Sequence, residues 1–358
     1  MSVVAYKCPN CDGELKFDPS SQKFACDYCG SGFTLAELKQ HAPEEGAEKE
    51  KQPSSQKAES SAGEGGEANL FTCPNCGAQI VTGCTTAATE CFYCHNPVVL
   101  SGRLSGEYLP KKIIPFKINR EEAETRFREW LRKRKFVPRS FIGEKNLEKV
   151  TGVYFPYWMV DSDMHASLNA TAEQVRRWRR GDIEYIETRY FELLREGNIH
   201  TGKILKNALS HANREVIDSV QPYDPSGIVD FSMPYLSGFQ AEKRDIEREQ
   251  LSQQVQQEFQ NHATGMLRST MSGYTNIRML GGNSQILREN WNYTLLPVWT
   301  FVYHDRKKNK YYFYAMNGQT GNVYGKIPMD YKKLSLISCG IGAAVFALIM
   351  LLFPLVIL

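Results

Sequence analysis

A cysteine spacing that occurs twice constrains this chain more than any other feature. Cys8-Pro9-Asn10-Cys11 and Cys26-Asp27-Tyr28-Cys29 form C-x2-C-x14-C-x2-C, and Cys73-Pro74-Asn75-Cys76 with Cys91-Phe92-Tyr93-Cys94 repeat it. A shift of 65 residues superposes the two sets and carries Pro9 onto Pro74, Asn10 onto Asn75 and Tyr28 onto Tyr93. A C-x2-C turn aims two thiolates at one ion about 2.3 Å away. The intervening residues suffice for a β-hairpin that sets the second turn opposite the first. In the first copy Leu15-Lys16-Phe17 and Lys23-Phe24-Ala25 read as its strands, around Asp18-Pro19-Ser20-Ser21. Four thiolates leave no position open to substrate, so each site is structural and its metal affinity is folding energy. The expectation is two Zn2+ ions per chain, held by Cys8, Cys11, Cys26 and Cys29 and by Cys73, Cys76, Cys91 and Cys94. Iron is the alternative that a lone four-thiolate site also accepts.

Cys91 to His95 also spells C-x-x-C-H, the attachment string of c-type haem. The repeat favours zinc over haem or a redox dithiol, because Cys91 and Cys94 already have partners in Cys73 and Cys76. His95 takes the place of Gly30, a turn position where the backbone adopts positive φ. The N-terminus, MSVVAYKCPNCDG, has no basic stretch followed by an apolar run, so no secretory leader is expected. Paired thiols in a reducing cytosol bind metal more often than they form disulfides. Cys84 aligns with Pro19 in the hairpin turn and reads as a free thiol.

The remaining organisation follows from composition and period. The fold class expected is α+β: zinc ribbon 1 at 1–38, a disordered linker at 39–69, zinc ribbon 2 at 70–105, an α+β domain with antiparallel sheet at 106–333, and a transmembrane helix at 334–358. The linker is rich in Glu, Lys, Ser and Gly and too poor in large apolar side chains to offset ordering entropy; it is expected to tether the first ribbon loosely. KKIIPFKI, 111–118, reads as a strand. Asn119 then caps a helix, with Glu122 completing a capping box and Ala123, Phe127, Trp130 and Leu131 on one face. Tyr154 to Val160 and Leu295 to Val302 read as strands sharing Pro-x-Trp, through a second duplication or through edge-strand chemistry. Pro156 and Pro297 are expected at strand starts or edges, since proline cannot donate to a ladder. Phe239 to Leu267 reads as a long helix with a stripe of Leu251, Val255, Phe259, Ala263 and Met266. Lys310 to Met316, a turn at 317–321 and Asn322 to Tyr324 complete a β-meander.

Residues 334–358, LSLISCGIGAAVFALIMLLFPLVIL, carry no charge. As a helix they span ~37 Å, against a hydrocarbon core of ~30 Å. Lys326, Lys332 and Lys333 precede the run, so the positive-inside rule expects a tail-anchored, single-pass protein of the cell membrane with its N-terminal bulk in the cytoplasm.

No catalytic constellation emerges: there is no phosphate loop, dinucleotide glycine signature, HExxH or GxSxG, and the chain is expected not to be an enzyme. Asp161, Asp163 and His165 would share one face of a strand, which reads as a strand leaving the core for solvent; His304-Asp305 reads as a loop pair. Two basic clusters stand out although the net charge is only +3: 111–139, and Arg176, Arg177, Arg179 and Arg180 around Trp178. Solvated faces are the commonest explanation. An anionic leaflet or acidic partner comes next, each Lys or Arg near a leaflet contributing ~1 kcal/mol. Nucleic acid, with Trp178 stacking on a base, comes third.

The run CPNCGAQIVTGCTTAATECFYCHNPVVL is similar to the transcription factor IIB-type zinc ribbon. With IIPFKINREEAETRFREWLRKRKFVP, TGVYFPYWMVDSDM and LLPVWTFVYHDRKKNKYYFYAMNGQTGNVYGKIP, the chain resembles a group of bacterial membrane proteins named for that ribbon. The resemblance spans about residues 70 to 330. It extends to the membrane-anchored zinc-ribbon proteins of Bacillus phage-shock-type operons. It implies a non-enzymatic adaptor in envelope stress that holds a phage-shock protein A-like (PspA-like) partner and other operon-encoded proteins at the bilayer. Only the eight thiolates carry over as site residues. A membrane-tethered nucleic-acid binder is the alternative.

Overall fold

The computed structural model describes residues 6–41, 69–72, 79–82, 85–90, 97–100, 104, 108–134, 136–138, 147–210, 214–305, 310–327 and 329–357. Cys73, Cys76, Cys84, Cys91, Cys94, His95 and linker residues 42–68 lie outside them.

The first ribbon forms as its spacing predicts. β1 (Leu15–Asp18) and β2 (Lys23–Cys26) pair antiparallel with Leu15 opposite Cys26, and β3 (Gly32–Phe33) adds to β2. Asp18 closes the turn by accepting from the amides of Ser20 and Ser21. A short helix, α1 (Leu35–His41), follows, so the module runs past residue 38. Thr34 caps it in a box with Glu37. In the second copy, β4 (Asn69–Thr72) pairs with β5 (Gln79–Thr82) across the first C-x2-C, and β6 (Thr86–Glu90) pairs with β7 (Pro97–Val99) across the second. Shifting β1, β2 and β3 by 65 lands on β5, β6 and β7 within two residues, so the duplication extends to the strands.

The ribbons are not loosely held beads. The first docks on the α+β body through its hairpin. The Phe17 amide donates to Ser237 O at 3.1 Å, Gln22 Nε2 to Phe116 O at 2.8 Å and Asn119 Nδ2 to Ser20 Oγ at 2.8 Å. The Ser237 hydroxyl donates to Leu15 O. Phe17 and Phe24 lie 5.2 and 5.7 Å from the Tyr235 ring, inside the main core. β6 of the second copy joins the edge of the body's sheet directly. The expected boundary at residue 105 therefore does not separate two packing units: isolated, each hairpin leaves an apolar face exposed, and the body buries it.

The body is a mixed sheet. β8 is short, Lys112–Ile113, rather than the whole of 111–118, because Pro115 ends the donors. α2 (Arg120–Arg132) starts at Asn119, whose side chain accepts from the Glu122 amide; Ala123, Phe127 and Leu131 are buried and Trp130 half-buried. The Glu122 carboxylate pairs with Arg126 at 2.6 Å instead of closing the box. β9 (Leu147–Arg180) turns at Gly181 into β10 (Ile183–Asn207), and α3 (Arg214–Asp218), β11 (Val229–Asp230) and β12 (Gln240–Glu242) follow. α4 covers Arg248–Ser269, not Phe239–Leu267: residues 240–242 are spent on β12, and Leu267, not Met266, completes the buried stripe. Then come β13 (Thr275–Asp305), β14 (Lys310–Asn317) and β15 (Val323–Gly325), the expected meander, in which His304 and Asp305 end a strand rather than form a loop.

β9 and β13 run antiparallel along their length and form the spine. Pro156 and Pro297 sit in mid-strand, against expectation. Each falls where its strand changes neighbour: β9 pairs with β12 up to Tyr154 and with β10 from Tyr157, and β13 pairs with β8 up to Leu295 and with β14 from Val298. The missing N–H therefore interrupts no ladder. The shared Pro-x-Trp marks a pseudo-two-fold. In each half a short strand leads into a helix, a long strand and its antiparallel return, and the short strand pairs parallel with the long strand of the other half. Trp158 Nε1 donates to Ile246 O, just before α4, and Trp299 Nε1 to Ile118 O, just before α2, both at 2.9 Å. α2, α4 and the first ribbon cover one face; α3 and the loop to Tyr223 cover the other.

β9, β10 and β13 continue as a three-stranded arm whose inner face extends the main core under α4. Met164, Ala166, Leu168, Ala170 and Ala172 of β9 are buried on the side that packs on α4. The last element, α5 (Tyr331–Ile357), begins three residues before the apolar run, so Lys332 and Lys333 lie in its first turn and Lys326 precedes it. Its segment Tyr331–Met350 is long and apolar enough to cross a membrane, and none of it is buried against the rest of the chain. The Asp330 amide, at its base, donates to Phe136 O at 2.8 Å.

Candidate metal centre

Both cysteine turns of the first ribbon share one backbone pattern. The amide of the first cysteine donates five residues on, Cys8 to Gly13 O at 2.6 Å and Cys26 to Ser31 O at 2.9 Å. The carbonyl of the same cysteine accepts four residues on, from Asp12 and from Gly30, each at 2.9 Å. The fifth residue adopts positive φ in both, 60° at Asp12 and 71° at Gly30, as expected for a turn residue after the second cysteine.

These turns bring the four sulfurs within 4.8 Å of one another. Cys8 Sγ to Cys29 Sγ is 3.6 Å and Cys11 Sγ to Cys26 Sγ is 3.5 Å. Such gaps far exceed a disulfide bond of about 2.05 Å. They approach the edge of about 3.8 Å that a tetrahedron with 2.3 Å Zn–S bonds requires. Gly13 is part of the cradle: a Cβ there would stand 3.1 Å from Cys26 Sγ and 3.2 Å from Cys11 Sγ. Cys8 and Cys26 are buried, Cys11 and Cys29 exposed. Without metal the thiols differ sharply. Hydrogen bonds with the Ser31 hydroxyl and backbone hold Cys29 down at about 6. At Cys11 the Gly13 backbone favours the thiolate, but the crowded Cys26 and Cys29 sulfurs outweigh it and push the thiol up to about 12. A dication removes the conflict by making all four thiolates favourable. The residues fit a structural metal, and no coordination position remains for chemistry. The second set of four cysteines is outside the described residues; its first turn is flanked by the β4–β5 pair where the first copy has the Lys7–Glu14 bridge, and its second by the β6–β7 pair, while β5 and β6 belong to separate sheets among the described residues.

The other sequence candidates separate. Asp161, Asp163 and His165 do share the outward face of β9, but the strand continues instead of ending. His165 accepts or donates at 2.9 Å with both Asn198 and Glu196, and Asp163 meets His200 at 2.8 Å, so these groups tie β9 to β10. Arg176, Arg177, Arg179 and Arg180 stand at the arm tip, exposed, where β10 places Glu187 opposite Arg176 and Glu184 opposite Arg179. Arg177 and Arg180 instead face Ile186 and Ile183, and Glu187 bonds Arg189 at 2.8 Å, so Asp182, Glu184 and Glu187 offset only part of the tip's positive charge. Trp178 stacks on Tyr185 at 5.5 Å, with the Arg176 guanidinium 5.8 Å from its ring, and stays half exposed.

Sequence reasoning missed Arg244. Its guanidinium, 4% exposed, lies 4.9 Å from the Tyr108 and Trp158 rings and pairs with Glu247, at the wall of a cleft of about 540 Å³. The signal was the pseudo-two-fold: the equivalent position in the first half is Phe116, packed between Phe239 and Trp299.

No family model matches the chain, and no solved structure matches it. It is 33% identical over 344 residues to the uncharacterized protein YdjG of Bacillus subtilis (strain 168), covering 96% of both chains. The chain belongs to the YdjG family. The match extends over nearly the whole of both chains.

Proposed function

We propose that the chain is a non-catalytic, membrane-held zinc-ribbon adaptor that recruits a PspA-like partner in envelope stress. The observation that carries this reading is the placement of α5. An apolar helix whose described segment Tyr331–Met350 is not buried is joined through Asp330 and Phe136 to the end of the body where α2 lies on Phe301 and Tyr314. The arm tip lies at the opposite end of β13. Inserted in the cell membrane with Lys326, Lys332 and Lys333 at the cytoplasmic surface, α5 would hold the body at the bilayer and direct the arm into the cytoplasm. β13 has 31 residues, a reach of up to about 100 Å. This geometry favours a protein partner over a second contact of the arm with the same leaflet. Two structural zinc ions fit the role, since they stabilise small hairpins without performing chemistry.

The test is fractionation of cells expressing the tagged chain with and without residues 331–357. The full chain is expected in the membrane together with a co-purifying PspA-like protein, and both move to the soluble fraction on truncation. Unchanged membrane retention of both overturns the reading.

A further inference from the structure

We propose that the arm tips of neighbouring copies pair edge to edge, the β9 edge of one copy against the β10 edge of the next. Beyond Glu173 the arm has only two strands, because the pairing of β13 with β9 starts at Thr275 opposite Glu173. Residues 174–180 and 183–189 therefore form a two-stranded ribbon. Among the described residues, neither outer edge of that ribbon has a partner. α4 ends at Ser269, and its cover stops near Tyr274, whose ring meets Phe191 at 5.2 Å. Past that point the surface is apolar for an exposed hairpin: Ile183 is 60%, Ile186 57% and Tyr190 78% exposed. Long free edges with apolar side chains are templates for another strand.

The charge pattern selects the occupant. Between 174 and 180 the β9 edge carries four arginines and no acid; between 183 and 189 the β10 edge carries Glu184, Glu187 and Arg189, whose guanidinium bonds Glu187 at 2.8 Å, so the two edges have net charges of opposite sign. Joining two β9 edges sets arginine against arginine, and joining two β10 edges sets glutamate against glutamate; like charges directly opposite are destabilising. Joining β9 to β10 repeats across the new contact the register the hairpin already uses, Arg179 with Glu184 and Arg176 with Glu187. The tip is thus complementary to a second copy of itself in a head-to-tail sense. Such a contact does not close by two-fold symmetry and extends into an array. This inference does not rest on the identity of any recruited protein.

Disulfide trapping tests it on the full chain in lipid nanodiscs or detergent, with Cys84 and Cys339 replaced by Ser. One preparation carries Val175→Cys, a second Thr188→Cys; these positions face each other within a hairpin, so in separate chains they meet only across the proposed contact. Mild oxidation of the mixture is expected to give a cross-linked pair that neither preparation gives alone. Replacing Glu184 and Glu187 by Arg on the partner that carries Thr188→Cys should abolish it, and raising salt should reduce it. Absence of the mixed product, or a dominant Val175→Cys homodimer, overturns the proposal. A uniformly monomeric chain by light scattering at the same concentration does so too.

Discussion

Trp158 and Trp299 show how single side chains hold the two halves together. Each indole crosses to the other half and satisfies a carbonyl just ahead of a helix. Trp158→Phe and Trp299→Phe each leave that carbonyl without its donor, at a cost of about 1–3 kcal/mol. Comparable losses from both, read by chemical denaturation, would match the pseudo-symmetry. Gly13 is a second such position. Gly13→Ala forces a methyl against Tyr28, Cys26 and Cys11, so competition with a chromophoric chelator should show weaker metal binding with the four ligands unchanged. His165 offers a pH readout. Its hydrogen bonds to Asn198 and Glu196 raise its pKa above the ordinary value of 6.5. A raised imidazole pKa stabilises the fold below the unfolded value, and that contribution fades as pH rises through the folded one. An NMR titration should place the midpoint above 6.5, and Glu196→Gln should lower it.

At the scale of elements, the first ribbon is coupled to the body. A metal on its four cysteines would hold the β1–β2 hairpin, and that hairpin covers Tyr235 and Phe239. Chelation is therefore expected to expose the body's aromatic cluster and speed protease cleavage near residues 231–239, beyond the ribbon itself. Phe17→Ala should cost about 3–5 kcal/mol with the metal-binding capacity of the four cysteines preserved, which separates docking from metal binding. Much at this scale was legible. The C-x2-C spacing carried the hairpin, Asn119 carried the start of α2, and the apolar period carried the core of α4. The arm was not legible. The inward residues of its β9 strand are mostly alanine, a helix former whose methyl gives little alternation signal. The strand is held by α4 and by partners more than 100 residues away in β13. The start of α4 was misplaced for the same reason: residues 240–242 are a strand only because β9 and β6 lie on either side.

At the scale of the whole molecule, two duplications share one frame. Each ribbon seats at the strand-to-helix junction of one half, the first at Phe116 and Asn119, the second where the Lys243 amide donates to Thr85 O. α5 and the arm tip occupy opposite ends of this frame. Negative-stain images of the chain in nanodiscs should show a narrow rod projecting from a compact body on the side away from the lipid; a globular outline would contradict the arm. The sequence by itself determined the closed sulfur cage of the first ribbon, the apolar terminal helix and the capped start of α2, because each depends on residues within a few turns of one another. Only the tertiary structure decided that the first ribbon is docked, that the arginine cluster faces carboxylates, and that two mid-strand prolines interrupt nothing. Those outcomes depend on which distant strand lies alongside, and pairing across long sequence separation is governed by burial of a shared face rather than by any local pattern.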